Sequence, residues 1–189
     1  MGCSQNGYER VNQYALVSYI PDPIGKFLDL LRLQLVPACR PHAHVTVLPP
    51  RPLNAPVERA EAELRQKATQ FQPFEIKLGS VEIFDRSEVI YIEVECGESE
   101  LRHMHKELNH GAVKFDEPFE FHPHITLAQS LPHEQVPQIL DRARRFWSEW
   151  KGKTTFQVDE LCFVQNTVEN VWLDLMHLRL DHQPVVSVR

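Results

Sequence analysis

The chain has 189 residues, 42% of them hydrophobic and 24% charged, with a formal net charge of −6. That length suits one domain, or two small lobes sharing a core. The negative charge excludes wrapping a long nucleic acid, because such affinity comes from neutralising many phosphates; it leaves room for one phosphate or an RNA end in a locally positive groove. No apolar run approaches the ~18 residues of a membrane span, and the opening MGCSQNGYERVNQ lacks the apolar core of a secretory signal. Met1-Gly2 resembles a myristoylation start, but Asn6 stands where that motif needs Ser or Thr. Residues 1–12 are therefore expected to be a disordered terminus. Cys3, Cys39, Cys96 and Cys162 form no C-x-x-C pair, and the last two sit in apolar runs, where a free cysteine serves as a small hydrophobe. The expectation is a monomeric, cytoplasmic protein with no membrane partner.

In chain order, Tyr14 to Ile20 reads as a buried strand ended by Pro21. Asp22-Pro23 then supplies an N-cap and a proline at the first helical position. The helix runs through Phe27, Leu28, Leu31 and Leu35 on one face, and Pro37 ends it. A short strand, HVTVL from His44, stops at Pro49-Pro50. Pro56 to Gln70 predicts a charged amphipathic helix with Val57, Ala60 and Leu64 on its covered face.

Phe74 to Phe84 alternates apolar and polar residues, with Gly79 marking a bulge. A turn at Asp85 to Glu88 leads to the strand Val89 to Val94. Ser99 to His110 is predicted helical with Gly111 as its C′ residue, and His103 and His105 on its surface. The loop through Pro118 feeds a second strand, HITLA from His124, and Glu134 to Trp150 forms the longest helix, with Trp147 and Trp150 packing inward. Phe156 to Val164 and Val171 to Leu180 read as paired strands, and the residues after 182 as a loose tail.

This order repeats. Tyr14 precedes His44 by 30 residues and Tyr91 precedes His124 by 33; Phe74 follows His44 by 30 and Phe156 follows His124 by 32. A repeat of this size implies two lobes related by a pseudo-twofold axis. The predicted fold is a bilobal α+β domain over residues 13–182, each lobe an antiparallel sheet with flanking helices. The lobes run roughly over 13–84 and 89–180, with terminal strands open to exchange between them.

Each half carries one H-x-T: His44 with Thr46, and His124 with Thr126. Strand side chains alternate faces, so each His shares a face with its Thr. One such spacing arises by chance in a chain this size; two copies at equivalent places in a repeat point to a shared groove. The alternative pairing is H-x-H: His42/His44 and His122/His124 could converge on a transition metal, making a metal-dependent hydrolase. That pairing leaves both threonines unexplained, and Pro123 places His122 at or before the strand start.

Two imidazoles with hydroxyl neighbours suit metal-free phosphodiester chemistry. One neutral ring takes a proton from the nucleophile while the other gives one to the leaving oxygen. An unperturbed imidazole pKa of about 6.5 populates both states near neutrality. The hydroxyls can hold non-bridging phosphate oxygens. A strained cyclic 2′,3′-phosphate is an apt substrate, needing positioning more than activation.

On the motifs HVTVL and HITLA, with His44 and His124 separated by 80 residues, the chain resembles the 2H phosphoesterases. Within them it resembles the 2′-5′ RNA ligase-like (LigT-like) proteins and cyclic phosphodiesterases, over roughly Gln13 to Leu180. The resemblance implies the bilobal α+β fold, no metal or other cofactor, and hydrolysis of 2′,3′-cyclic phosphates on nucleotides or RNA ends, with reversible 2′-5′ ligation in some members. It implies His124 as general base, His44 as general acid, and Thr46 and Thr126 on the phosphate; the near-symmetric site allows the reverse assignment. Ligase-like members often carry an Arg three residues after the second Thr, where this chain has Gln129. Arg51 or Arg86 is then the expected compensating cation. Phe84, Tyr91, Phe115 and Phe119 are the candidates for stacking a base. A non-catalytic nucleotide-binding module is the second reading.

Overall fold

The computed structural model describes residues 8–40 and 42–180. The myristoylation motif at Met1-Gly2 and the tail after 182 lie outside the described residues. In order, the elements are β1 (Arg10–Tyr19), α1 (Ile24–Leu35), β2 (His44–Arg51), α2 (Val57–Ala68), β3 (Phe74–Ile83), β4 (Ile90–Cys96), α3 (Glu98–Leu108), β5 (His124–Ala128), α4 (Val136–Glu149), β6 (Thr155–Val158), β7 (Glu160–Thr167) and β8 (Trp172–Arg179). The strands form two antiparallel four-stranded sheets, ordered β2-β1-β7-β8 and β5-β4-β3-β6. No helix among the described residues is long and apolar enough to cross a membrane.

The first strand begins earlier than the sequence suggests: Arg10 already pairs with Thr167, so residues 10–12 are ordered strand. Helix α1 starts one residue later than expected, with Pro23 rather than Asp22 at the cap position, although the Asp22 carboxylate still accepts the Lys26 N–H at 3.0 Å. A glycine is required at the entry to α1, because a Cβ on Gly25 would stand 2.1 Å from the Ile20 carbonyl oxygen. Gly79 lies inside a register shift between Leu78 and Val81, the bulge its place in the pattern predicts.

Two expectations need correction. Gly111 is not the C′ residue of α3: the helix caps at Asn109, and Gly111 instead opens a 3₁₀ turn with a φ of 60°. A Cβ there would collide with the Glu63 carboxylate, which accepts the Ala112 N–H. The apolar run Phe156 to Val164 is two strands, not one. It breaks at Asp159; β6 pairs with β3 in the second sheet and β7 with β1 in the first.

That break decides the lobe assignment. β3 belongs with β4, not with the first half of the chain, while β7 and β8 return to complete the first sheet. The terminal strands are thus exchanged between halves. In the matching sheet orders β3 corresponds to β7 rather than to β6, so Phe74 and Phe156 are not equivalent positions. Helix packing crosses over as well: α1 lies on β5 and α4, whereas α3 lies on β2.

One apolar core joins the halves, with Val45 and Val47 of β2, Ile125 and Leu127 of β5, and the inward faces of all four helices. Trp147 and Trp150 pack on its edge around Phe27, as expected of them. On its other face the first sheet carries a second, smaller cluster of Ala15, Val17, Cys162 and Val164, made of strand residues alone.

Candidate active site

Alternation along β2 sends Val45 and Val47 into the core and leaves His44 and Thr46 half-buried on the opposite face; β5 does the same with Ile125, Leu127, His124 and Thr126. Both strands are sheet edges and lie against each other. The two H-x-T pairs therefore meet where the sheets approach. The registers mirror one another: His44 opposes Tyr19 and Thr46 opposes Val17, while His124 opposes Glu93 and Thr126 opposes Tyr91.

The imidazoles are anchored identically. His44 Nδ1 lies 2.7 Å from the His42 carbonyl oxygen, and His124 Nδ1 lies 2.7 Å from that of His122. A carbonyl only accepts, so each Nδ1 carries the hydrogen and each Nε2 keeps its lone pair. The residues before the motif thus act through their backbone, fixing the tautomer of the ring two positions on. Their side chains pack instead: His42 stacks on Tyr19 at 3.6 Å, and His122 meets the edges of Phe84 and Tyr91.

Among the described residues, no three of the His42, His44, His122 and His124 side chains bring ligand nitrogens within 4.8 Å of one another. The converging four-imidazole site is therefore not what the fold builds.

Burial disfavours the charged form of both rings. It is the main reason the His44 pKa falls to about 4, with Arg32, His42 and His124 adding smaller repulsions. Desolvation lowers His124 too, against the opposing pull of its carbonyl hydrogen bond. The unfolded chain takes up these protons near pH 6.5, before the folded chain does. Stability is consequently full above about 6.5 and lost as pH falls from there towards 4, by at most about 3 kcal/mol for His44. The expected outcome is that His44→Gln flattens the fall in urea-unfolding free energy between pH 6.5 and 4. A slope unchanged by that substitution contradicts this account.

Phe84 and Tyr91 are brought to the site. They stack on each other at 4.1 Å and meet the His124 ring edge-on at 5.0 and 5.4 Å. Tyr91 is buried and Phe84 half-buried, so both first serve as a wall for the second histidine. Phe119 is 70% exposed on the loop before β5, and Phe115 packs over the Arg51 guanidinium. Gln129 is exposed just past the end of β5. Arg86 is exposed in the β3–β4 turn, at the same sheet end, since Ile90 pairs with Ala128.

Arg51 is not a groove cation. It is 2% exposed, ion-paired with Glu117, and bonded to Asn109 Oδ1 (2.7 Å) and the carbonyls of Pro49 (2.8 Å) and Val113 (3.1 Å). Its charge is spent tying the end of β2 to the loop that leads into β5. His105 is likewise not a surface residue: Nδ1 donates to the Val47 carbonyl at 2.8 Å and the ring stacks on Phe121 at 3.9 Å. His103 is exposed, as expected. Cys96 is exposed at the end of β4 and does not serve as a small core hydrophobe, whereas Cys162 is buried.

The cation missed in the sequence is Arg32, in the last turn of α1. Its Nε is buried without a hydrogen-bond partner among the described residues, and its charge bears on both His44 and the Cys39 thiol. The negative end of the helix dipole suits a guanidinium there. In the sequence it is one more polar residue between Leu31 and Leu33.

The model of the 2′-5′ RNA ligase superfamily matches residues 20–170 of the chain. The chain belongs to this family. A protein of Bacillus cytotoxicus named as a phosphoesterase is 34% identical over 110 residues, 53% of this chain and 63% of that protein. One from Oceanobacillus iheyensis, similarly named, is 36% identical over 42% of this chain. The matched part thus spans about half (47%) to under two thirds of the length of these curated relatives. Among solved structures, E. coli LigT complexed with 3′-AMP is similar with a TM-score of 0.63 at 18% identity, covering 93% of this chain and 99% of that one. Kluyveromyces marxianus Usb1 with uridine monophosphate gives a TM-score of 0.50 at 14% identity, covering 89% and 98%. At such identities these two show the α+β fold, which this superfamily member shares with them.

Proposed function

We propose that this protein is a metal-independent phosphodiesterase acting on 2′,3′-cyclic phosphates of nucleotides or RNA ends. The observation that carries the reading is the mirrored anchoring of His44 and His124, each with Nδ1 on a backbone carbonyl and Nε2 left for proton transfer. That LigT and Usb1 are solved with 3′-AMP and uridine monophosphate supports a nucleotide-sized ligand.

In this mechanism His124 Nε2 takes a proton from water as the water oxygen attacks phosphorus. The bond from phosphorus to one ribose oxygen breaks, and His44 Nε2–H protonates that oxygen. The cyclic diester becomes a monoester, and one proton has passed from His44 to the product while His124 has gained one. Burial keeps His44 neutral in the free protein; a bound anionic phosphate counters that by favouring the imidazolium. The Thr46 and Thr126 hydroxyls hold the non-bridging oxygens. With a ribose 5′-hydroxyl in place of water, the same transfers in the same direction would open the cyclic phosphate into a 2′-5′ linkage.

Arg32 is the cation this site needs in place of one at Gln129. Arg32→Gln is expected to raise KM about 10- to 100-fold, the worth of one lost charge-assisted hydrogen bond, and Arg32→Lys to restore part of it. Steady-state kinetics with unchanged circular dichroism checks this; an unaltered KM removes Arg32 from the site.

The test of the function itself is a turnover screen of 2′,3′-cyclic mononucleotides, cyclic-phosphate RNA ends, 2′-5′ oligoadenylates and ADP-ribose cyclic phosphates, with chelator present. Hydrolysis of the cyclic phosphates supports the proposal. Tight product binding without turnover across the panel assigns the protein to the non-catalytic class.

A further inference from the structure

The same open face of the first sheet carries a second polar cluster that the proton-transfer chemistry does not use. Cross-strand pairing sets Thr46, Val17, Cys162 and His177 in one row across β2, β1, β7 and β8. Two strand spacings put Cys162 about 10 Å from Thr46. Asp174, three residues before His177 on β8, completes a group whose ligand atoms all lie within 4.8 Å of one another.

We propose that Cys162, Asp174 and His177 form a binding site for a zinc-class divalent cation on the floor of the groove. His177 Nε2 stands 3.8 Å from Cys162 Sγ and 3.6 Å from Asp174 Oδ2, spacings that three corners of a tetrahedral site require. Thiolate, imidazole and carboxylate together suit a borderline-soft ion rather than magnesium or calcium.

The outer contacts are those that metal ligands use. His177 Nδ1–H donates to Glu160 Oε1 at 2.9 Å, which leaves Nε2 as the lone-pair nitrogen facing the cluster. Glu160 is itself near Arg179. The Tyr19 hydroxyl donates to Asp174 Oδ1 at 2.6 Å and leaves Oδ2 for the ion. A carboxylate behind a ligating histidine and a hydroxyl behind a ligating carboxylate orient both ligands.

Burial, with the Asp174 carboxylate beside it, pushes the Cys162 thiol up to about 12. The ion must therefore displace that proton: each bound cation releases one from Cys162, forming the metal–sulfur bond. Three protein ligands leave a fourth position for water or a substrate oxygen, on the face that bears His44 and Thr46. Through Tyr19, which stacks on His42, the cluster also touches the backbone anchor of His44.

The test titrates the full chain, stripped with chelator, with Co²⁺ and with Zn²⁺. The expected result is one equivalent of cobalt with a thiolate-to-cobalt charge-transfer band, release of the Cys162 proton on binding, and zinc-dependent thermal stabilisation. Cys162→Ala abolishes the band. His177→Gln, at a side chain 49% exposed and outside the apolar core, abolishes the stabilisation; Glu160→Gln weakens binding about 10- to 100-fold. A band that survives Cys162→Ala, or binding that survives His177→Gln and is lost on changing His122, places the ion elsewhere and overturns the proposal. So does the lack of any uptake by folded protein. Because hydrolysis is assayed with chelator, these outcomes are independent of the catalytic reading.

Discussion

His44→Ala and His124→Ala are each expected to lower kcat on a 2′,3′-cyclic nucleotide by about 10²–10⁴-fold, the usual worth of one positioned acid or base. Each substitution removes one of two proton carriers whose Nε2 nitrogens are left available by identical carbonyl contacts. The double variant should be little worse than either single one, since acid and base act in one step and losing one already disables the other. KM should move less than kcat, because the threonine hydroxyls and Arg32 remain. Turnover in both single variants within a few-fold of the unaltered protein contradicts the two-histidine mechanism. The opposite pattern, with kcat kept and KM raised, makes the rings binding groups instead.

Arg51→Met is expected to destabilise the fold by about 3–5 kcal/mol, the cost of breaking a buried ion pair from one side. The substitution leaves the Glu117 carboxylate, 13% exposed, without its guanidinium, removes the Arg51 donor from two carbonyls, and leaves Asn109 Oδ1 with the Phe115 N–H alone. Pairing it with Glu117→Gln should recover part of the loss, as the stranded charge is then gone. Because Arg51 joins the end of β2 to the loop that leads into β5, the variant should also loosen the approach of the two H-x-T strands. Urea unfolding gives the first quantity, and hydrogen exchange at the Val47 and Ile125 amides the second. A variant as stable as the parent shows the pair to be dispensable.

The paired H-x-T motifs were legible because their signal is local and doubled. An alternating strand dictates that His44 faces with Thr46 and His124 with Thr126 whatever the rest of the chain does, and the register confirms those faces. Gly79 as a bulge was legible for the same reason, and the start of α1 to within one residue: each is a backbone preference acting over a few residues. Arg51 was misread because sequence reports a charge but not its partner. Glu117 lies 66 positions away, and only the loop's return makes a groove candidate into a structural clamp. His105 was misread likewise, since its spacing from His103 says nothing of the Val47 carbonyl that α3 brings beside it.

By itself the sequence determined most of the elements, the doubling of the H-x-T strands, and the side of each strand on which those His and Thr residues sit, because these follow from alternation and turn preferences that extend over a handful of residues. Only the tertiary structure decided which strands pair. The break at Asp159 sends β6 and β7 to different sheets, exchanging the terminal strands and moving β3 into the second lobe. It also decided the electrostatics: which cation is spent, as Arg51 is, and which bears on His44 with a buried nitrogen left without a partner among the described residues, as Arg32 does. Desolvation and charge pairing depend on what long-range packing places around a group, and no local pattern records that.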